Sequence, residues 1–301
     1  MIKESICFVI LNYNCAEETQ HLVDTLNRWD GTALDYRIVV VDNCSTDNSF
    51  QVLSSLYRTN QFVDVIQSEK NGGYSYGNNY GSRYAKERYN PNYIAIANPD
   101  VQIEENTVAE LLKTFHTDDS IAMVAPVMKS INGDYAIASQ SLPRYYDDFR
   151  ACWTEKNPPS VNKDSFQTLP NHQNMILTEM LPGSFFVVRT DYFFRAGLFD
   201  ENVFLFCEER IIGARMKELG YKLILRSDLF FVHAHSVSIK KAMDTVKTWK
   251  ILWRSRIYYQ IRYNKISKTE TALLKMCSWL FIRRLAILLH LHELKTAMIG
   301  A

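Results

Sequence analysis

Apolar and polar residues alternate in blocks along the first third of the chain. Apolar runs cover residues 6–11, 38–41, 62–66 and 93–97, the third being weaker because Asp64 interrupts it, and each is followed by apolar residues with helical spacing. Such short runs are typical of strands that are buried on both faces, as in parallel sheets. Strands alternating with helices predict an α/β protein with a doubly wound, mainly parallel sheet, helices on both faces and right-handed crossovers.

Polar residues stand where three of these runs end. Asn12 follows the first run, Asp42 ends the second, and Asp100 comes directly after the Pro99 that interrupts the fourth. The carboxyl ends of parallel strands share one edge of an α/β sheet, where ligands bind, so these side chains are expected to line one pocket. Asp100 alone could equally cap the next helix. Within such a pocket it is a candidate ligand for a hard cation that holds phosphates.

A glycine-rich segment covers residues 71–81 and leads into a helical pattern. Glycines at a helix start let the backbone approach a ligand, although the spacing matches no phosphate-binding loop and also suits a plain turn. After the first strand, residues 12–15 read Asn-Tyr-Asn-Cys rather than G-x-G-x-x-G. This difference argues against a nicotinamide-dependent dehydrogenase.

The pattern is less regular after residue 120. Residues 144–180 are polar and contain only isolated apolar positions, which predicts an irregular functional loop or lid. In the first part of the chain, Ser45 or Thr46 could cap the helix that follows the second strand. Farther on, residues 222–225 and 230–232 predict a pair of strands.

Two pairs of residues in this second part could carry chemistry. Glu208 and Glu209 precede a helical pattern, where acids favour the helix dipole or can serve as a base over a pocket. His233 and His235 follow the predicted strand pair. Because alternate residues of a strand point to opposite faces, at most one of these histidines is expected to join Asp100 at a metal.

Charge divides the chain unevenly. Residues 239–301 hold 13 Lys and Arg against 3 Asp and Glu, whereas residues 1–238 hold 21 against 30. We expect a catalytic domain over residues 1–238 and a basic, aromatic-rich helical region over residues 239–301. The basic region suits an anionic membrane face, the acidic body or a second copy in a homodimer. Nucleic acid is not expected, because the body is acidic and no known nucleic-acid module is present.

Three features of the sequence bear on the location of the protein: its cysteines, its N-terminus and one apolar segment. The six cysteines show no C-x-x-C spacing, and the N-terminus lacks the features of a signal peptide. Segment Ala272–Leu291 is interrupted by Lys275, Arg283 and Arg284, which makes it a poor membrane span. We expect a cytoplasmic protein, with the inner face of the plasma membrane as a peripheral site reached through the tail.

Taken together, the motifs resemble the family-two inverting glycosyltransferases and, within them, the rhamnosyltransferase branch of bacterial cell-surface polysaccharide assembly. The matching segments are Val9–Asn14, Val40–Asp47, Asn71–Gly73 with Gly77–Gly81, Asn98–Val101, and Gly197–Asp200 leading to Glu208-Glu209. They occur in the family's order across roughly residues 5–240. The resemblance implies a GT-A fold, a nucleotide-diphosphate-sugar donor, Mg²⁺ or Mn²⁺, and a single-displacement transfer.

The resemblance also implies roles for individual residues. Those expected near the nucleotide and its sugar are Asn12, Tyr13, Asp42, Gly72, Gly73, Asn78, Asn98, Gly183 and Ser184. Asp100 matches the last acid of the family's Asp-x-Asp metal motif, in which Asn98 replaces the first acid. His233 matches the family's late histidine, with His235 as the second candidate. Glu208 and Glu209 match the acidic pair at the acceptor side, Glu209 being the expected general base.

The expected function is transfer of a sugar from dTDP-rhamnose or a UDP-hexose to a hydroxyl of a cell-surface glycan or lipid-linked saccharide. Asn98 and Ile211 stand where the family often has acids, so a catalytically silent nucleotide-sugar-binding or scaffold subunit is the alternative. A nucleotidyltransferase would share the sheet but should carry a glycine-rich, basic turn after the first strand. Sugar transfer or donor hydrolysis distinguishes the enzyme from the silent subunit.

Overall fold

The computed structural model describes residues 4–29, 34–130, 135–136, 141–154, 167–233 and 245–299. The strands are β1 (Ser5–Asn12), β2 (Asp35–Asp42), β3 (Val63–Gln67), β4 (Tyr93–Ala97), β5 (Val101–Gln102), β6 (Ile121–Ser130), β7 (Tyr135–Ala136), β8 (Thr168–Leu169), β9 (His172–Thr178), β10 (Phe185–Arg189) and β11 (Lys222–His233). The helices are α1 (Ala16–Asn27), α2 (Ser49–Tyr57), α3 (Gly73–Tyr89), α4 (Glu105–Thr114), α5 (Tyr145–Ala151), α6 (Thr190–Arg195), α7 (Glu208–Glu218), α8 (Thr245–Arg262) and α9 (Lys268–Ile299).

One mixed sheet organises the described chain, in the order β3-β2-β1-β4-β10-β6-β11-β9-β8, with β5 paired to β11 and β7 to β6. The first four strands in this order are parallel, and so are β6 and β11, while β10 runs antiparallel between β4 and β6. The predicted doubly wound α/β architecture is therefore confirmed.

The sheet carries a separate apolar core on each face. Along β1, Phe8 and Ile10 enter the core that also holds Leu22 of α1 and Leu111 of α4. Val9 points the other way, into the core that contains residues of α3, α6 and α7. Each fully buried side chain of this size contributes about 1.5–3 kcal/mol. Burial on both faces explains why the strands read as continuous apolar runs.

Two sequence predictions about the second half were wrong. Residues 222–233 form the single strand β11 instead of the predicted pair of strands, with a register shift against β6 between Arg226 and Phe230. The segment 144–180, predicted to be irregular, contains α5, β8 and β9. Helix α5 packs on α9, a contact that local patterning does not reveal. Residues 155–166 of the predicted lid lie outside the described residues.

The predicted C-terminal helices are present as α8 and α9. On α8, Trp253 packs with α5 and α9, and Tyr259 packs with Val203 and with Ile211 of α7. Both aromatic side chains are almost completely buried. Helix α8 thus lies directly behind the start of α7. In the described part of the chain, no helix has the length and apolar character needed to span a membrane.

Candidate active site

The ends of β1, β2 and β4 meet at one edge of the sheet, as predicted. Asn12 lies opposite Asp42 in the β1–β2 register, and Ile10 lies opposite Ala97 at the end of β4. The Asn12 side chain donates from Nδ2 to Oδ2 of Asp42 over 2.8 Å. Its Oδ1 accepts a hydrogen bond from the Thr19 hydroxyl at 2.9 Å. This pair locks the two strand ends together.

Asp42 is fully buried, yet its charge is well compensated. Its Oδ1 accepts hydrogen bonds from the Ser45 backbone N–H at 3.0 Å and from Nε2 of Gln67 at 3.2 Å. A buried carboxylate needs such donors, because desolvation of an unpaired charge is costly. The carboxylate predicted to hold base or ribose therefore also holds the loop after β2.

Ser45 and Thr46 do not cap α2, contrary to the prediction. The helix begins at Ser49, after Asn48, and the Ser49 backbone N–H donates to Oδ1 of Asp47 over 2.9 Å. The Ser45 hydroxyl instead accepts from Nδ2 of Asn12 and from the backbone N–H of Asn14. The cap prediction was wrong because these hydroxyls face the polar strand end of β1. Beside them Tyr13 is partly exposed and remains a candidate neighbour of a nucleobase.

The glycine-rich segment forms the start of α3 and contacts the loop before α7. At Gly73, where φ is +85°, an added Cβ would lie 1.9 Å from the Phe204 carbonyl oxygen. Tyr74 donates its backbone N–H to that same oxygen over 2.9 Å. A side chain at Gly77 or Gly81 would collide with β1 or β2. Two of the glycines therefore allow close helix–sheet packing rather than contact with a ligand.

Asn78 lies inside α3 and is completely buried. Its Nδ2 donates to the Tyr74 carbonyl over 3.0 Å. In the described chain, nothing donates to its Oδ1. Within the glycine-rich segment, Asn78 thus has a buried side-chain oxygen without a donor from the described residues.

Asp100 and His233 come together after β4. Strand β5 pairs antiparallel with the end of β11, which sets Val101 opposite His233. Oδ1 of Asp100 and Nε2 of His233 lie 3.0 Å apart, with side chains 6% and 12% exposed. His235, the other candidate ligand, lies outside the described residues.

The pair fits a hard divalent cation. A carboxylate oxygen and an imidazole nitrogen are both accepted by Mn²⁺, and Mg²⁺ often takes one or two carboxylates and completes its shell with phosphate oxygens and water. No group of three or more His, Cys, Asp or Glu that could hold a metal occurs among the described residues. Most of the coordination shell would therefore come from the diphosphate of a substrate and from water.

The acid pair opens α7 from an unusual backbone conformation. Phe206 and Cys207, directly before Glu208, both have left-handed φ angles, +72° and +69°. For residues with a Cβ this conformation costs about 1–3 kcal/mol each, and it clusters at active sites. Glu208 is 3% exposed. Oε1 of Glu208 receives no hydrogen bond from any described residue.

Glu209 lies against the segment that precedes β10. A Cβ added to Gly183 would be 2.1 Å from Oε1 of Glu209, so the absence of a side chain there makes room for the carboxylate. The Gly183 carbonyl accepts a hydrogen bond from the Tyr74 hydroxyl. The next carbonyl, that of Ser184, accepts the Asn98 N–H over 2.8 Å. This short segment joins the acid pair to the Asp100 region.

Burial governs the ionisation of the acid pair. It raises the pKa of Glu208 well above its usual range, and the neighbouring Glu209 charge raises it further. Burial also raises the pKa of Glu209, while the Arg210 cation opposes the shift. Both carboxyls therefore keep their protons to a higher pH than an exposed glutamate does, because each has a raised pKa. Carboxyls whose pKa values are shifted by burial and by a neighbouring charge are typical of acid–base sites.

A buried network holds the start of α7 in place, and the sequence did not reveal it. Arg210 donates from one guanidinium nitrogen to both oxygens of Asp148 on α5, over 3.0 Å each. Asp148 is 2% exposed and also accepts from Nε2 of Gln260 on α8 over 2.7 Å. Arg256 of α8 lies 3.5 Å from the same carboxylate. The one signal in the sequence was Arg210 directly after the acid pair, since a buried arginine needs a carboxylate partner.

A second cluster ties α8 to the loop before α7. The carboxylate of Asp200 accepts hydrogen bonds from the hydroxyls of Tyr258 and Tyr263, at 2.9 and 2.6 Å. Arg215 of α7 completes the cluster, 3.2 Å from the same carboxylate oxygen. Asp200 belongs to the segment Gly197–Asp200 that contributed to the family resemblance. Its contacts show a structural use of this acid.

Comparison with known proteins extends the geometric description. Relatives match parts of the chain of very different length. The rhamnosyltransferase WbbL of Escherichia coli (strain K12) is 24% identical over 277 residues, covering 87% of this chain and 98% of that protein. The chondroitin synthase of Pasteurella multocida (strain Pm70) is 32% identical over 123 residues, or 40% of this chain. The chain spans only 12% of the length of that synthase.

A solved structure and a family model agree with this picture. The mannosyltransferase PcManGT from Pyrobaculum calidifontis, in complex with GDP-Man and Mn²⁺, has a TM-score of 0.58 at 17% identity. The similarity covers 91% of this chain and 69% of that one, and it shows a shared GT-A fold. The model described as Glycosyl transferase family 2 matches residues 7–194, more than half of the sequence. The chain therefore belongs to glycosyl transferase family 2.

Proposed function

We propose that this chain is an inverting glycosyltransferase that moves a sugar from a nucleotide-diphosphate donor to an acceptor hydroxyl. The observation that carries the proposal is the position of the Glu209 carboxylate and the Asp100–His233 pair at one edge of the sheet, joined through the segment before β10. A proton acceptor thus lies near a candidate cation site. Family membership and the GDP-Man and Mn²⁺ bound to PcManGT support a nucleotide-sugar donor and a divalent metal.

We assign the nucleotide to the strand ends, with Tyr13 beside the base. Asn12 and Asp42 hold the backbone below it through their mutual hydrogen bond. The full set assigned to the nucleotide and its sugar is Asn12, Tyr13, Asp42, Gly72, Gly73, Asn78, Asn98, Gly183 and Ser184. Residues 1–238 form the catalytic domain in this proposal, and residues 239–301 form the helical region behind it.

Asp100 and His233 hold Mg²⁺ or Mn²⁺ in this proposal, with His235 as the second candidate for the imidazole ligand. When bound, the cation supplies stabilisation to the negative charge that develops on the departing diphosphate. Asp100 contributes a carboxylate oxygen, and the strand pairing of β5 with β11 keeps the imidazole of His233 next to it. The Asn98 amide has no charge, so the donor phosphates make up the remaining ligands.

Glu209 acts as the general base. The acceptor oxygen bonds to the anomeric carbon as the bond between that carbon and the diphosphate breaks, and the hydroxyl proton passes to the Glu209 carboxylate. A base must come within hydrogen-bond distance of the proton it removes, and its raised pKa brings it closer to the pH of the cell.

The donor and acceptor follow from similarity and chemistry. We assign dTDP-rhamnose before a UDP-hexose, because the similarity to WbbL extends over nearly the whole of that rhamnosyltransferase. The proposed acceptor is a hydroxyl of a cell-surface glycan or a lipid-linked saccharide. The proposed location is the cytoplasm, with peripheral contact at the inner face of the plasma membrane, and a homodimer is the proposed assembly for test.

Thermal unfolding with a panel of nucleotide sugars tests the donor assignment. The panel comprises dTDP-rhamnose, UDP-glucose, UDP-galactose, UDP-N-acetylglucosamine and GDP-mannose, each with Mn²⁺ or with a chelator. A ligand that binds only the folded state, at about 100 times its Kd, adds ~2.7 kcal/mol of stability. We expect a Mn²⁺-dependent rise in Tm with one donor, and a smaller rise for Asp100→Asn, which removes a charge but little volume.

Sugar transfer to an acceptor, or hydrolysis of the donor, separates the enzyme from a silent subunit. A donor that raises Tm but is neither transferred nor hydrolysed would identify a nucleotide-sugar-binding or scaffold protein. No rise in Tm with any donor would contradict the nucleotide-sugar proposal as a whole.

A further inference from the structure

Helix α9 turns an apolar stripe away from the protein. Leu273, Met276, Leu280 and Ile287 are 41%, 53%, 41% and 60% exposed. They follow one another at steps of three, four and seven residues, so they share one face of the helix. Trp279 beside them is 54% exposed. Scattered exposed apolar residues are ordinary, whereas a continuous stripe marks an interaction surface.

The opposite face of α9 anchors the helix on the protein. Leu274, Cys277 and Phe281 are buried in a cluster with Ala151 of α5 and Trp253 of α8. The helix is therefore held in a fixed orientation, and its apolar stripe faces solvent along a packed, ordered helix. Through α5 the helix lies one layer from Arg210 and the acid pair.

Basic residues accompany the stripe without acidic ones. Lys275, Arg283 and Arg284 are exposed, and no Asp or Glu occurs between Thr271 and His290. The Arg283 guanidinium lies 5.0 Å from the ring centroid of Trp279. Basic side chains beside apolar and aromatic ones are the composition of helices that lie in the plane of a membrane interface.

We propose that this face of α9, defined by Leu273, Met276, Trp279, Leu280, Arg283, Arg284 and Ile287, docks on an anionic phospholipid surface. The stripe enters the boundary between headgroups and acyl chains, and the cations pair with lipid phosphates. A second copy of the chain fits the face less well. An isologous contact would set these cations against their own copies, with no carboxylate on the face to pair with them.

Docking through α9 has a consequence for catalysis that rests on the proposed function. Since α9 is bound to α5, and α5 to α7 through Asp148 and Arg210, the acid pair stands near the membrane side. A lipid-linked acceptor would then meet Glu209 without leaving the bilayer. Lipid binding itself is independent of sugar transfer, so the two proposals can fail separately.

Vesicle sedimentation of the full chain tests the docking. The probes are vesicles of phosphatidylcholine with or without phosphatidylglycerol, and we expect binding only to the anionic vesicles, weakened by salt. The variant Arg283→Gln with Arg284→Gln should bind about 30-fold more weakly, because each cation near an anionic surface contributes about fivefold. Met276→Glu with Ile287→Glu should weaken binding at least about tenfold by removing apolar insertion.

Leu56→Glu provides the matched control. Leu56 is 49% exposed on α2, away from α9, and its substitution should leave vesicle binding unchanged. Circular dichroism checks that each variant is folded. If the glutamate variant does not fold, the arginine variant still tests the proposal, because it leaves the apolar stripe unchanged. Absence of binding by the wild type, or binding by both α9 variants as strong as that of the wild type, would overturn the proposal. A dimer of the wild type that Met276→Glu dissociates would assign the face to a second copy instead.

Discussion

The two halves of the candidate site treat buried polar groups differently. At the ends of β1 and β2, every side-chain oxygen and nitrogen of Asn12 and Asp42 has a hydrogen-bond partner within the protein. At the start of α7, Glu208 is as deeply buried, yet one of its oxygens has no partner in the described chain. Two left-handed residues precede it. The hydrogen bonds at the strand ends therefore stabilise the fold. The start of α7 instead lowers the stability of the fold, through its left-handed residues and its unpaired buried oxygen, which indicates a role in function.

This contrast predicts opposite responses to mutation. Removing a polar group from the strand ends should weaken the fold. Removing an acid from the start of α7 should reduce transfer while leaving the fold intact or more stable, as found where function needs a strained site. Three substitutions test this contrast, and a fourth, at Asp148, tests the network that holds the start of α7. They are given from the largest expected effect to the smallest.

Glu209→Gln should lower the rate of sugar transfer by about a thousandfold, the loss expected when a general base is removed. The amide keeps the shape of the side chain, so donor-dependent stabilisation in thermal unfolding should stay at its wild-type level. In the wild type, transfer should fall as pH falls through the raised pKa of Glu209, because protonation removes the base. Transfer by the variant at a near wild-type rate would show that another group takes the proton.

Asp148→Ala should destabilise the protein by about 3–5 kcal/mol, because it leaves the Arg210 guanidinium buried without its carboxylate. Urea unfolding measures the change. Asp147→Ala on the same helix is the control, since Asp147 is partly exposed and, among the described residues, accepts a hydrogen bond from the Arg144 N–H rather than from a buried cation. A loss equal to that of the control would mean that the network does not hold α7.

Asp42→Ala should cost about 2 kcal/mol, since the Asn12 amide and the Ser45 N–H would lose their acceptor in a buried position. The same urea titration gives this value. If Asp42 also contacts the ribose, the variant should in addition weaken donor-dependent stabilisation. An unchanged free energy of unfolding would contradict the role of Asp42 in holding the strand ends.

Glu208→Gln should raise stability at neutral pH by about 1 kcal/mol, the usual scale for relieving an incompletely paired buried group. The sign follows from linkage: because the folded-state pKa is raised, the native protein binds this proton more tightly than the unfolded chain, and stability falls as pH rises through that pKa. Measured Tm against pH should therefore decline less steeply in the variant. Equal slopes would show that the folded protein does not bind the Glu208 proton more tightly than the unfolded chain does.

The sheet and its ligand edge were predictable from sequence because burial on both faces leaves a continuous apolar run that ends abruptly at a polar residue. The residue pattern could pair Asp100 with one of two histidines, and only the resemblance selected His233, since strand β5 is two residues long and has no pattern of its own. Asp148 could not be found, because its partner Gln260 is 112 residues away along the chain. The roles of Ser45 and Thr46 were missed because distant side chains compete with local capping.

The cluster around Asp148 also makes the assembly of the site cooperative. Its carboxylate lies on α5, its first cation on α7, and its remaining partners, Gln260 and Arg256, on α8. During synthesis the acid pair leaves the ribosome before α8, when the Asp148–Arg210 pair still lacks the helix that buries and completes it. The Glu209 carboxylate is consequently fixed in position only after α8 has docked. A nascent chain thus completes the strand ends of β1 and β2 early and the start of α7 late.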